Sequence, residues 1–119
     1  MVPSYQELIN KSFGHMQALG KDKPDMMGKF QAFEHAASAA GSALDAKTKQ
    51  LIALDLSVGA RCDACIGFHT KQLVGMGMTR AELEDMLGVC IVMGGGPSLM
   101  YATGALAAYE EFGGEKAAA

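Results

Sequence analysis

The stretch Leu51-Ile52-Ala53-Leu54-Asp55-Leu56-Ser57-Val58-Gly59-Ala60-Arg61-Cys62-Asp63-Ala64-Cys65-Ile66-Gly67-Phe68-His69-Thr70 decides the fold. Its first eight residues are apolar on nearly every side of a helix, which is typical of a helix at the centre of a bundle. Asp45 can cap the start of this helix, which we predict to end at about Ala60. A second helix follows, and two cysteines in a C-x-x-C arrangement lie at its start.

The rest of the chain also has apolar residues at helical spacing, between glycines and prolines that end each segment. β-branched residues are scarce and no strand pattern is present, so we predict one all-α domain of about six helices over residues 1–119. The predicted helices cover about 4–19, 24–41 and 45–60, then run from 61–63 to the turn at 75–77, from 79 to the glycines at 94–96, and from 97 to about 112. Gly20 is the expected stop of the first helix, and Thr79-Arg80-Ala81-Glu82 is a capping-box pattern that opens the fifth.

The first two predicted helices each have an apolar side. In the first it consists of Tyr5, Leu8, Ile9, Phe13 and Met16, and in the second of Met26, Phe30, Phe33 and Ala37. Half of all residues are apolar and only 19% are charged, which is a low charge content for a monomer of this size. We therefore predict a homo-oligomer.

Composition also excludes several classes of partner. The net charge is −3, and no cluster of Lys and Arg could neutralise a phosphate backbone, so we expect no nucleic acid partner. Residues 86–109 carry no charge, but Gly94-Gly95-Gly96-Pro97 would break a membrane helix, so we expect no membrane span. The N-terminal residues lack the pattern of a secretory signal, which predicts a cytoplasmic protein.

The two neighbouring cysteines are the candidate reactive groups. Cys62 and Cys65 lie three residues apart, so on one helical turn their sulfurs can come within disulfide range. The first turn of a helix stabilises a thiolate through its unpaired N–H groups and its positive dipole end. His69 lies four residues after Cys65, on the same helix face, where its imidazole could accept the thiol proton. No flavin, nicotinamide or haem signature is present, so we predict no cofactor.

From Pro24 to Phe112 the chain resembles the alkylhydroperoxidase AhpD-like superfamily, which includes the carboxymuconolactone decarboxylases. The segment quoted above and the Gly-Met-Thr-Arg-Ala-Glu-Leu turn after it carry the resemblance. It implies an all-helical trimer or hexamer. In the AhpD branch it implies peroxide reduction, with electrons from a dithiol or thioredoxin-like protein. On this resemblance Cys65 is the attacking thiol, Cys62 the resolving thiol and His69 part of the proton relay.

Two positions depart from the AhpD pattern. Gln50 stands where that pattern has a glutamate, and an amide cannot relay a proton as a carboxylate does. Ala64 stands where a histidine often precedes the second cysteine. Both departures weaken the expectation of peroxidase activity more than that of the fold. The decarboxylase branch lacks the cysteine pair, which disfavours lactone decarboxylation.

Three other interpretations of the cysteine pair remain open. Cys62, Cys65 and His69 could be three of four zinc ligands, with the fourth from another subunit. The chain could instead be a noncatalytic assembly protein that keeps the fold, or the cysteines could be unreactive core thiols. Elsewhere, we interpret Cys90 as a packing residue, the methionines as residues that fill gaps in the core and between subunits, and His15 and His35 as surface or interface residues.

Overall fold

A computed structural model describes residues 2–117, and six helices make up nearly all of this range. They are α1 (Tyr5–Asp22), α2 (Pro24–Ser38), α3 (Ala46–Gly59), α4 (Asp63–Gly75), α5 (Arg80–Gly94) and α6 (Gly96–Glu111). No strand occurs within residues 2–117. The all-α prediction with about six helices is therefore confirmed.

The core lies between α3, α4, α5 and α6. Its fully buried side chains come from all four helices and include Leu54, Val58, Ile66, Leu73, Leu83 and Tyr109. The face that α6 turns to the core is built mainly of alanine, which lets neighbouring helices approach closely. The buried hydroxyl of Tyr109 donates to the carbonyl oxygen of Met78 at 2.9 Å, so this polar group has a partner.

Helix starts agree with the sequence patterns. The side chains of Ser4 and Asp45 accept hydrogen bonds from the first turns of α1 and α3. At α5 both halves of the capping box between Thr79 and Glu82 are present. The Glu82 carboxylate also accepts from Lys47 Nζ at 2.8 Å, which joins the starts of α3 and α5.

Three predicted boundaries were wrong. Helix α1 continues past Gly20 to Asp22. Its last helical hydrogen bond runs from the N–H of Lys23 to the carbonyl oxygen of Leu19. Helix α2 ends at Ser38, since Ala39 is extended and the N–H of Gly41 turns to the carbonyl of Leu44. Helix α6 begins at Gly96, one residue before the predicted proline.

Much of the apolar side predicted for α1 and α2 faces solvent. Tyr5 and Ile9 of α1 are buried, but Phe13 and Met16 are exposed, and in α2 Met27 is the buried residue. Other large apolar side chains are exposed on α3, α5 and α6 and just after α4, among them Leu56, Met76, Val89, Val92, Met93 and Met100. Helix α3, the expected central helix, packs against α2, α4, α5 and α6, but it also has an exposed side on which Ile52 and Leu56 lie.

Helix α1 is held against both α4 and α6. A Cβ atom added to Gly67 of α4 would lie 2.9 Å from the ring of Tyr5, so the glycine permits this close approach. At the start of α1 the Glu111 carboxylate accepts from the backbone N–H groups of Tyr5 and Gln6 at 2.8 and 2.9 Å. Burial alone would raise the pKa of Glu111, but these hydrogen bonds outweigh it and lower the pKa.

No helix within residues 2–117 is long and apolar enough to span a membrane.

Candidate active site

A tight turn between α3 and α4 brings the cysteine pair to the start of α4. The N–H of Arg61 donates to the oxygen of Val58, and the N–H of Cys62 donates to that of Ser57. These two bonds form a Schellman motif, which needs a left-handed residue between them. Arg61 takes that conformation with φ 59°, although a side chain there costs about 1–2 kcal/mol relative to glycine. The packing on both sides of the turn must offset this strain.

Cys62 and Cys65 are joined in a disulfide, with their Cα atoms 5.2 Å apart. Cys62 is the N-cap of α4, and its sulfur accepts from the N–H of Cys65 at 3.3 Å. Both side chains are half-buried, so the pair is partly accessible from outside. The positive end of the α4 dipole therefore acts on both sulfurs, which favours a thiolate in the reduced state.

His69 contacts Gln50, a residue to which the sequence assigned no role in the site. Its Nδ1 atom lies 2.8 Å from Oε1 of Gln50, which projects from α3. An amide oxygen only accepts hydrogen bonds, so this contact is a hydrogen bond in the tautomer with the proton on Nδ1, which leaves the lone pair of the neutral ring on Nε2. In the sequence, Gln50 is notable only because it replaces a glutamate of the AhpD pattern. In the structure, its side chain is hydrogen-bonded to the imidazole of His69.

The surroundings of His69 favour its neutral form. Phe68 packs edge-on against the imidazole at 5.1 Å, and Phe13 of α1 packs on Phe68 at 5.4 Å. Burial lowers the pKa of His69, and the charge of Glu34 on α2 opposes that effect only partly. Asp55 and Asp63 are the carboxylates nearest to the cysteine pair in sequence. Asp63 helps to raise the pKa of Tyr5, where burial is the larger cause, and the charge of Asp55 helps to raise the pKa of Cys90, where burial is again the larger cause.

The sequence profile of the carboxymuconolactone decarboxylase family matches residues 24–108, from the start of α2 to the last turn of α6. The chain belongs to this family. The match confirms the family resemblance found in the sequence, and the helical neighbours described next confirm the fold class.

Proteins of three bacteria are similar to this chain over most of its length. An uncharacterised protein of Cupriavidus necator is 45% identical over 102 residues, which cover 86% of this chain and 87% of that protein. The crystal structure of a carboxymuconolactone decarboxylase family protein of Legionella pneumophila aligns with a TM-score of 0.87 and 44% identity, over 91% of this chain and 96% of the other. A family member of Thermotoga maritima, for which a part in the antioxidative response has been suggested, aligns with a TM-score of 0.77 and 26% identity, over 87% of each chain.

A cavity lies beside the first turn of α4 in this family member. The cavity has a volume of about 760 Å³ and lies between α1, α6 and the first turn of α4. Asp63 and Ala64 line it, whereas neither cysteine nor His69 is among the described residues of its wall. The position where AhpD proteins often have a histidine therefore faces open volume here.

The third cysteine is separate from this site. Cys90 of α5 is buried, as predicted, and burial is the main cause that raises its pKa to about 11. A thiol with such a pKa remains protonated near neutral pH and is a poor nucleophile. His15 and His35 are exposed, in agreement with the sequence interpretation. Among the described methionines, Met27 and Met78 pack in the core, whereas Met26, Met76, Met93 and Met100 are exposed on the surface of the chain.

Within residues 2–117 no three His, Cys, Asp or Glu side chains are grouped so that they could hold a metal ion. A zinc site at Cys62, Cys65 and His69 would therefore need the disulfide to open and the three side chains to move together, with a further ligand from elsewhere.

Proposed function

We propose that this chain is a thiol–disulfide oxidoreductase whose Cys62–Cys65 pair reduces a hydroperoxide or the disulfide of a partner. The observation that carries the proposal is the disulfide at the first turn of α4, on the same helix as a histidine whose Nδ1 contacts Gln50 Oε1. Neutral His69 supplies a base, and the α4 dipole stabilises the thiolate. The suggested antioxidative part of the Thermotoga relative is consistent with this chemistry.

The proposed reaction begins with both cysteines reduced. Nε2 of His69 takes the proton of the Cys65 thiol, and the thiolate attacks one oxygen of a hydroperoxide, breaking the O–O bond. The released alkoxide takes a proton to become an alcohol, and Cys65 becomes a sulfenic acid. The Cys62 thiol attacks the Cys65 sulfur, so that water leaves and the disulfide forms. An external dithiol, as a small molecule or a thioredoxin-like protein, reopens the disulfide by exchange and is itself oxidised.

The disulfide couple can be tested directly in redox buffers. The protein is equilibrated with mixtures of reduced and oxidised dithiol, free thiols are alkylated, and peptide mass spectrometry locates the bridge. We expect a single reversible transition confined to Cys62 and Cys65, with Cys90 reduced throughout because it is buried and its thiol stays protonated. The proposal would be wrong if these two residues formed no reversible bridge, or if no hydroperoxide or disulfide substrate oxidised the reduced pair.

We also propose that the chain self-associates, as a trimer or a hexamer. Its solvent-accessible surface is 7379 Å², whereas a compact monomer of 12.4 kDa exposes about 6,100 Å². The radius of gyration of 14.9 Å likewise exceeds the value of about 13.5 Å expected for this length. Exposed apolar side chains on α2 and α5, such as Phe33 and Val92, are suited to cover one another between copies.

A charge placed on this surface should separate the copies. Phe33 is 72% exposed and Val92 is 78% exposed. We expect light scattering after size exclusion to give three or six times 12.4 kDa for the wild type, and a shift towards 12.4 kDa for Phe33→Lys and Val92→Lys. Gln31→Lys is the matched control, because it adds the same charge to an exposed position of α2 without replacing an apolar side chain. A wild-type protein that is monomeric at micromolar concentration would refute self-association.

A further inference from the structure

We propose that Gln50 is a positioning residue, which fixes the tautomer of His69 and makes a neutral imidazole, rather than a carboxylate relay, the base for the cysteine pair. The inference rests on the proposed function for its chemical meaning. Its structural content is the hydrogen bond between Gln50 Oε1 and His69 Nδ1 at 2.8 Å.

The helix packing keeps this hydrogen bond in place. Gln50 is only 8% exposed, although glutamine is usually a surface residue. It lies one turn before Leu54, which is fully buried, so its Cα is fixed by the core. His69 lies one turn before Leu73 of α4, which is also fully buried. The two helices therefore present the amide and the imidazole to each other from rigid positions.

Among residues 2–117, no carboxylate is hydrogen-bonded to the His69 ring. From α3 the group that faces it is the uncharged amide of Gln50, and from α1 the neighbour of Phe68 is the uncharged ring of Phe13. Among the described residues, Glu34 of α2 is the charged group that acts on His69, and its effect is smaller than that of burial. The pKa of His69 is thus lowered, and the ring is neutral at pH 7.

This arrangement determines how the proton moves. Gln50 cannot accept a proton, so the proton that Nε2 takes from the Cys65 thiol cannot be passed on through Nδ1 to residue 50. The proton must leave from Nε2 itself, and the alkoxide released from the hydroperoxide can accept it. The same nitrogen then serves as base and acid in one cycle, and the neutral ring is restored.

Nitrogen NMR of protein labelled in histidine tests the proposal. The three histidines are assigned with His15→Gln and His35→Gln, which change exposed positions. We expect His69 in the wild type to carry its proton on Nδ1 and to titrate below 6.5. Gln50→Leu removes the acceptor, so the proton should move largely to Nε2, the tautomer that imidazole prefers in water. Gln50→Glu keeps the acceptor and adds a charge, so Nδ1 should stay protonated while the pKa rises by about 1–3 units.

Kinetics supply a second measurement. Oxidation of the reduced pair by a hydroperoxide should slow by up to about 100-fold in Gln50→Leu, because the lone pair moves to the nitrogen that faced residue 50. In Gln50→Glu the rate should rise at a higher pH than in the wild type, following the new pKa of His69.

The outcomes separate this inference from the proposed function. An unchanged tautomer in Gln50→Leu, or an unchanged His69 pKa in Gln50→Glu, would overturn the positioning role whatever the activity of the protein. If Gln50→Leu does not fold, the nearly isosteric Gln50→Glu decides. A wild type with the expected tautomer but no reaction with peroxides or disulfides would keep the positioning role and reject the proposed function.

Discussion

Replacing Cys65 with serine should reduce hydroperoxide consumption and disulfide exchange to the level of buffer. A serine hydroxyl is not ionised near neutral pH. It therefore cannot replace the thiolate as the nucleophile that attacks a peroxide oxygen or a disulfide sulfur. Cys62 remains at the N-cap, but its sulfur then has no partner with which to close a bridge. The loss should be complete because the substitution removes the group that forms the first new bond.

Cys62→Ser is the matched variant, and it should behave differently. Cys65 can still attack in this variant, on the same helix as His69, but nothing resolves the adduct. We therefore expect one turnover followed by a trapped species at Cys65, either a sulfenic acid or a mixed disulfide, which intact-mass measurement identifies. Serine is also a good N-cap, so α4 should keep its start. Full activity of Cys65→Ser would contradict the role of Cys65 as the attacking thiol. A trapped adduct at Cys62 in the Cys65→Ser variant would show that the roles of the two cysteines are reversed.

Leu54→Ala should have the largest effect on stability. Leu54 is 0% exposed and lies in the core between Gln50 and the α3–α4 turn. Removing its branched end leaves a cavity that the neighbouring helices can fill only partly, at a cost of about 2–5 kcal/mol. Chemical denaturation should show this loss as a lower midpoint with an unchanged slope.

Leu56→Ala on the same helix controls for the loss of a leucine as such. Leu56 is 66% exposed, so its truncation should change the unfolding free energy of one chain by less than about 0.5 kcal/mol. Measurement at two protein concentrations separates packing within the chain from contacts between copies. The effect of Leu54→Ala should persist at both, whereas any larger effect of Leu56→Ala should grow with concentration. Equal, concentration-independent losses in both variants would contradict the assigned core.

The sequence predicts best where local rules agree with the fold. The capping box at Thr79 and the cap at Asp45 are both short-range patterns, and the structure has each of them. Gly20 shows the limit of such rules. A glycine favours a helix end but does not enforce one, and α1 continues past it until the proline at position 24 begins the next helix.

The sequence predicts which side of α1 and of α2 is apolar, but it does not predict whether that side is buried in the core of the chain. The spacing of Phe30 and Phe33 shows which side of α2 is apolar, yet no single sequence says whether that side meets its own chain or another. The candidate site has the same property. The spacing of Cys62, Cys65 and His69 along one helix is visible in the sequence, whereas the contact of His69 with Gln50 depends on how α3 packs against α4.

The contact of Glu111 with the start of α1 also bears on the order of folding. The backbone N–H groups of Tyr5 and Gln6 receive their acceptor from a residue more than a hundred positions away. Closing so long a loop is entropically costly until the helices between are assembled. The first turn of α1 leaves the ribosome before α2 to α6, yet it gains this acceptor only once α6 has docked.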